Sequence, residues 1–125
     1  MTESNNRALG NRGEGLAVDH LCAAGYRILE RNFRSRGGEV DIVARDRDGT
    51  IVFVEVKTRT NLAFGLPQLA VTTRKQRQIA KGALSWLSRH QGHQQAARFD
   101  VIAVLLHDDG CFDLEHIVNA FELSY

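Results

Sequence analysis

The chain has 125 residues, 43% hydrophobic and 25% charged, a composition that fits one globular domain over residues 1–125 and excludes general disorder. At this length roughly two-thirds of the unfolded surface can be buried, so neither a disulfide nor a structural metal is needed to hold a core. Sixteen Lys and Arg against fifteen Asp and Glu leave a formal charge of +1, and net charge therefore does not single out a nucleic-acid binder. Cys22 and Cys111 form no paired-spacing motif, and no apolar run suits a signal peptide or a membrane span. A cytoplasmic protein with no membrane partner is the expectation.

Residues 1–6 are polar and read as a flexible tail. The spacing of Ala17, Val18, Leu21 and Ala24 predicts a helix over about 6–24, with Gly25 in the position that ends it. Glu14 falls on the same stripe, and a carboxylate on an apolar face calls for a partner. Gly10, Gly13 and Gly15 weaken the first half of this helix, each by about 1 kcal/mol relative to Ala. No strand precedes the G-x-G of Gly13 and Gly15, so it is not a dinucleotide fingerprint. Residues 26–32 predict a short strand. Two clearer ones, 39–44 and 51–57, are rich in Val and Ile and flank Asp46-Arg47-Asp48-Gly49. Residues 58–67 read as a loop, in which Phe64-Gly65 could shape a substrate groove. A second helix is expected from Thr72 or Thr73 to about His90, with Ile79, Ala83, Leu84 and Leu87 inward. Arg74, Arg77 and Lys81 lie on its other side, with Lys75 beside them. Strands over 98–106 and 111–117 follow, joined at Asp108-Asp109-Gly110. The order α-β-β-β-α-β-β describes an α/β domain whose first strands pair as a meander.

Charge is segregated along this order. Residues 56–99 hold eight basic side chains and no acid, whereas residues 100–125 hold six acids and no Lys or Arg. Arg31, Arg34 and Arg36 form a second basic cluster. One face prepared for a polyanion would explain this; so would solvated faces that pair with the acidic tail.

The central hairpin carries the chemistry. A three-residue loop with Gly49 in the left-handed position pairs Asp46 with Thr50, which sets Asp41 opposite Glu55 and Glu39 opposite Lys57. Alternation then puts Glu55, Lys57 and Asp41 on one face. Facing carboxylates lie about 5 Å apart and repel by roughly 3 kcal/mol at an effective dielectric of about 20. A proton, a salt bridge to Lys57 or a divalent cation, Mg²⁺ or Mn²⁺, would offset that repulsion. A plain surface hairpin is the alternative, weakened by Ile51 and Phe53 on the same face. Glu39 reads as a strand-edge or salt-bridge residue, and Asp100 as a structural one that ties Arg98 or a loop. His90 and His93 form H-x-x-H but read as surface residues, and His20, His107 and His116 have no evident partner. Trp86 reads as core or interface.

An Asp on one strand and Glu-x-Lys on the next, after a helix that carries a Glu, resembles the PD-(D/E)XK nuclease superfamily. The matching residues are Glu14, Asp41, Glu55 and Lys57, within RGEGLA, GEVDIVA and FVEVKTR. The acid in the first helix is similar to that of the archaeal Holliday junction resolvases. At closer range the chain resembles the bacterial YraN-like family through GEVDIVARD, VFVEVKTRTNLAFG and RFDVIAV, over about residues 12–104. Val40 stands where the superfamily's naming Pro would be.

The resemblance implies a restriction-endonuclease-like α/β fold, a central mixed sheet of about five strands flanked by two main helices. It implies a Mg²⁺- or Mn²⁺-dependent DNA endonuclease, with branched or structured DNA the leading substrate and a homodimer an option. Asp41, Glu55 and the Val56 carbonyl would hold the metal, Glu14 would complete its shell, and Lys57 would act on the attacking water or the transition state. Arg34, Arg36, Arg59, Arg74, Lys75, Arg77 and Lys81 would bind nucleic acid. The alternative is a non-catalytic nucleic-acid-binding module on the same fold. A protein-interaction domain ranks last, because it leaves the acid-free stretch unexplained.

Overall fold

The computed structural model of the chain describes residues 3–60, 71–90 and 95–122. Its elements are α1 (Glu3–Ala23), β1 (Arg27–Ser35), β2 (Gly38–Arg45), β3 (Ile51–Arg59), α2 (Thr73–Arg89), β4 (Ala97–Leu106) and β5 (Phe112–Phe121). The strands form one sheet in the order β1-β2-β3-β4-β5. Only β3 and β4 run parallel; the other neighbours are antiparallel. Tight turns suffice for the antiparallel pairs, whereas the parallel pair needs a crossover, and α2 lies in it. This is the α/β arrangement expected: a five-strand mixed sheet with two helices.

Each helix covers one face. Ala17 and Leu21 of α1 pack with Ile42, Ala44, Val52, Val54, Ile102 and Val104. Ile79, Ala83 and Trp86 of α2 pack with Val43, Ile51, Phe53, Phe99 and Val101 on the other face. Sheet strands covered on both sides are apolar at successive positions, which is why 51–54 and 101–104 read as unbroken hydrophobic runs.

Several boundaries differ from the expectation. Helix α1 starts at Glu3, so the backbone of residues 3–6 is helical and continues toward Leu9, which packs on the core. β1 extends to Ser35 because it has β2 as a partner along its length. β3 runs to Arg59, since Thr58 and Arg59 pair with Val104 and Leu105 of β4. In α2, Leu84 is only half-buried, and Trp86 takes the inward place, with its Nε1 donating to Glu30 Oε1 at 3.1 Å. Phe64-Gly65, Pro67 and His93 lie outside the described residues.

Two glycines set the height of α2. A Cβ on Gly38 would fall 2.3 Å from the Gly82 nitrogen, and one on Gly82 would fall 2.9 Å from the Glu39 nitrogen. The helix therefore rests on β2 backbone to backbone, a contact that no side chain would permit.

Candidate active site

The site begins where β2 and β3 part. Asp46 N–H donates to the Thr50 carbonyl at 3.0 Å, with Gly49 at φ 89°, and the paired residues run from Arg45 and Ile51 to Ile42 and Val54. This is the expected register; continued by one step it would set Asp41 opposite Glu55, but the pairs end at Ile42 and Val54. At that step the ladder stops. Val56 N–H donates instead to Asp41 Oδ2 at 2.8 Å. On the other side of Asp41, in β1, Asn32 lies between the pairs Arg31–Ile42 and Phe33–Val40 with φ 54°. Opposite it, alternation fails, because Val40 and Val43 both enter the core under α2. Asp41 occupies this break, and its carboxylate fills the gap between the strands.

Four other groups converge there. Glu55 lies on the α2 face with Phe53 and is 3% exposed. Its Oε1 is 3.6 Å from Lys57 Nζ and 3.6 Å from Lys75 Nζ, and its Oε2 has no hydrogen-bond partner. Burial, followed by the charge of Asp41, pushes the Glu55 pKa up to about 8, against the pull of Lys75 and Lys57. Glu14 arrives from α1, on the other face. Burial and the nearby Asp41 raise its pKa, against Arg31 and Arg34, and its Oε1 also lacks a partner. A Cβ on Gly13 would lie 1.8 Å from Thr58 Oγ1, so this glycine lets α1 touch β3 one residue before Glu14. Glu14, Asp41, Val56 and Lys57 line an open cleft of about 480 Å³, with Arg34 and Asn32 on its wall.

Oxygen donors dominate this cleft. Among the described residues no three His, Cys, Asp or Glu side chains are gathered into a metal cage. The cleft offers Asp41 and Glu14, and Glu55, which does not line it, couples to Asp41 from the α2 side. The Val56 carbonyl opens toward β2 as its N–H does, because both groups of a strand residue point to the same neighbour. Such a hard, all-oxygen set fits Mg²⁺ or Mn²⁺ completed by water.

The basic residues separate into two groups. Arg34, Arg36, Arg74, Arg77 and Lys81 are exposed, whereas Arg59 is half-buried at the end of β3. Lys75 is not on the outer face with its neighbours. Its ammonium donates to Glu39 Oε1 and flanks Glu55. The hydrogen bond from Lys75 holds the Glu39 carboxyl below its usual range, against burial. Sequence reasoning missed this placement. Lys75 stands four residues before Ile79, on the inward stripe of α2, the same signal that picked out Glu14 on α1.

Asp100 belongs to a separate network. It accepts from Arg98 Nε at 3.0 Å, His116 Nε2 at 2.7 Å and Asn119 N–H at 2.9 Å. Arg98 reaches on to Asp46 and to the Tyr26 hydroxyl, and His20 bonds His116 at 3.1 Å. Asp100 thus ties both Arg98 and β5, and His20 and His116 are partners after all. His90 stacks on Trp86, and His107 pairs with Asp113.

A family model described as uncharacterised protein family UPF0102 matches residues 13–104, from the contact of α1 with β3 to the end of the β4 core. The chain belongs to the UPF0102 family. A UPF0102 protein of Trichlorobacter lovleyi is 67% identical over 96% of this chain and 94% of its own length. One from Pelobacter propionicus is 62% identical over 96% of this chain and 86% of its own. Among solved structures, one titled as a complex of EndoMS with dsDNA is similar at 27% identity and a TM-score of 0.36, covering 60% of this chain and 26% of that one. Among the described residues, no helix is long and apolar enough to cross a membrane.

Proposed function

We propose that this UPF0102 protein is a Mg²⁺- or Mn²⁺-dependent DNA endonuclease, with branched DNA its leading substrate. The observation that carries the reading is Glu14 Oε1, buried and unpartnered beside Asp41 and Lys57 at an open cleft, with the buried Glu55 coupled to Asp41 from the other face. Leaving such an atom unsatisfied is unfavourable by about 1–3 kcal/mol, a cost that a cation bound between Glu14 and Asp41 would relieve.

A bound Mg²⁺ would polarise the phosphoryl oxygen and acidify a water ligand. Asp41, Glu55 and the Val56 carbonyl would hold it, with Glu14 on the far side of Asp41. Lys57, partly exposed on the cleft wall, would orient the attacking water or meet the charge that develops on the phosphate. Arg34 on the same wall would neutralise a flanking phosphate. Arg36, Arg74, Arg77 and Lys81, all exposed, would contact phosphates farther along the strand, which gives affinity without sequence preference.

The test is a cleavage screen of purified protein with Mg²⁺ and Mn²⁺ on single-stranded, duplex, flap and four-way DNA. Cutting is expected on at least one form. Asp41→Asn and Lys57→Ala should each abolish it while DNA affinity stays within a few fold. Binding to all forms without metal-dependent cutting of any would leave a non-catalytic binding module instead.

A further inference from the structure

We infer that Lys75 is a second lysine of the reaction centre, one that contacts the substrate phosphate with its ammonium group. The inference rests on the endonuclease reading and deepens it.

Position is the first ground. Lys75, Ile79, Gly82 and Trp86 share the face of α2 that lies on the sheet, and the last three are buried. Lys75 continues that face by one turn, over the gap between β2 and β3. Its nearest basic neighbours, Arg74 and Arg77, are exposed and turn away. The contact between Gly38 and Gly82 fixes the helix height from which Lys75 reaches the gap.

Local energetics give the second ground. Lys75 lies in the first turn of α2, where its N–H donates to the Thr72 side chain at 3.2 Å. Helix dipoles favour acids in that turn and disfavour cations by about 0.3–1 kcal/mol. The turn has no acid. A lysine there does not serve the helix; it serves what it faces.

The third ground is the pair of carboxylates it bridges. Glu39 is 38% exposed and Glu55 4% exposed in their side chains, so the Lys75 ammonium sits at the mouth of the gap between a rim acid and a buried one. Lys57 and Lys75 are equally distant from the same Glu55 oxygen, yet Lys57 belongs to the cleft lined by Glu14 while Lys75 descends from α2. Two ammonium groups therefore flank one carboxylate from different elements. In hydrolysis, a water oxygen bonds to phosphorus as the bond from phosphorus to the leaving sugar oxygen breaks. The proton lost by that water passes to solvent, and solvent supplies one to the leaving oxygen. Lys75 takes no part in those proton transfers; its ammonium stands between Glu39 and Glu55 as a fixed donor. Its part is a charged hydrogen bond to a non-bridging oxygen, exchanged for the one it gives Glu39.

The experiment compares wild type with Lys75→Gln, Lys75→Arg and Arg77→Gln. Three quantities are read: single-turnover cleavage at saturating DNA, DNA affinity in Ca²⁺, and Mn²⁺ affinity by calorimetry without DNA. Lys75→Gln should slow cleavage about 100-fold while DNA affinity moves by less than about threefold. Lys75→Arg should restore part of the rate. Lys75→Gln should also bind Mn²⁺ more tightly, because a cation next to Glu55 is gone. Arg77→Gln should show the opposite pattern, with affinity falling more than rate. Wild-type cleavage by Lys75→Gln, with weakened DNA affinity, would return Lys75 to the outer face and overturn the inference alone. Unchanged Mn²⁺ affinity would overturn its placement beside the carboxylates, even if the variant were too unstable to assay on DNA. A wild type that cuts no DNA would overturn the endonuclease reading and this inference together.

Discussion

Two acids are buried among the described residues, Glu55 on β3 and Asp100 on β4, and their surroundings are opposite. Asp100 faces the α1 side, with Ile102 and Val104, and receives hydrogen bonds on both oxygens from Arg98, His116 and Asn119. Burial works against its charge, but those donors outweigh burial and hold its pKa below the usual carboxylate range. Glu55 faces the α2 side, with two ammonium groups only as near as 3.6 Å to one oxygen and the Asp41 carboxylate as its other neighbour. Its pKa moves the other way. The same charge in neighbouring strands is a finished structural joint in one case and an incomplete site in the other. Satisfaction of the oxygens separates the two roles; burial alone does not.

The sharpest way to break this contrast is to remove each acid in turn. Asp100→Ala leaves Arg98 and His116 without their shared acceptor and should destabilise the fold by about 3–5 kcal/mol in urea unfolding. Glu55→Gln should be neutral or stabilising in metal-free buffer at pH 8. Equal losses from the two would erase the distinction. Next comes pH. The folded-state pKa of Glu55 lies above its unfolded value of 4.5, at about 8. The folded state therefore binds the extra proton, and stability should fall as pH rises through that window, by about 5 kcal/mol. Asp100 carries the other sign: its lowered pKa contributes stability above about 3.8 that is lost as pH falls further. Unfolding measured across pH should show both arms, and Glu55→Gln should flatten only the alkaline one. Mn²⁺ sharpens the test. At about 100 times its dissociation constant it should add about 2.7 kcal/mol at pH 8, and Asp41→Asn should remove that gain. The smallest effect belongs to the outer end of the Asp100 network. His20→Ala deletes one half-buried hydrogen bond to His116 and should destabilise by about 1 kcal/mol.

How much of the molecule is legible in its sequence depends on range. The turn at Asp46 to Gly49 is local, and its parity alone sets the register that brings Asp41 to Glu55. Glu14 is legible because Ala17, Val18 and Leu21 on its helix define a stripe. Lys75 satisfies the same rule on α2, but its basic neighbours draw it into the outer cluster. The break at Asp41 is not legible, since it goes with the acid's capture of Val56 N–H, a contact made 15 positions away. His20 and His116 stand 96 positions apart and meet only when α1 crosses β5's end of the sheet. The seating of α2 is hidden as well: a glycine in a sequence does not say which backbone lies against it.

That seating has a mechanical consequence. With no side chain between Gly38 and Gly82, α2 has no compressible layer beneath it, and its distance from β2 is set by contacting main-chain atoms. A single methyl group at either position would act as a shim. It would lift the helix and withdraw the ammonium at its first turn from Glu55 and Glu39, while Asp41, Glu55 and Glu14, held by other elements, stayed in place. The protein could thus lose the alignment of its charges through a change at a residue that carries none.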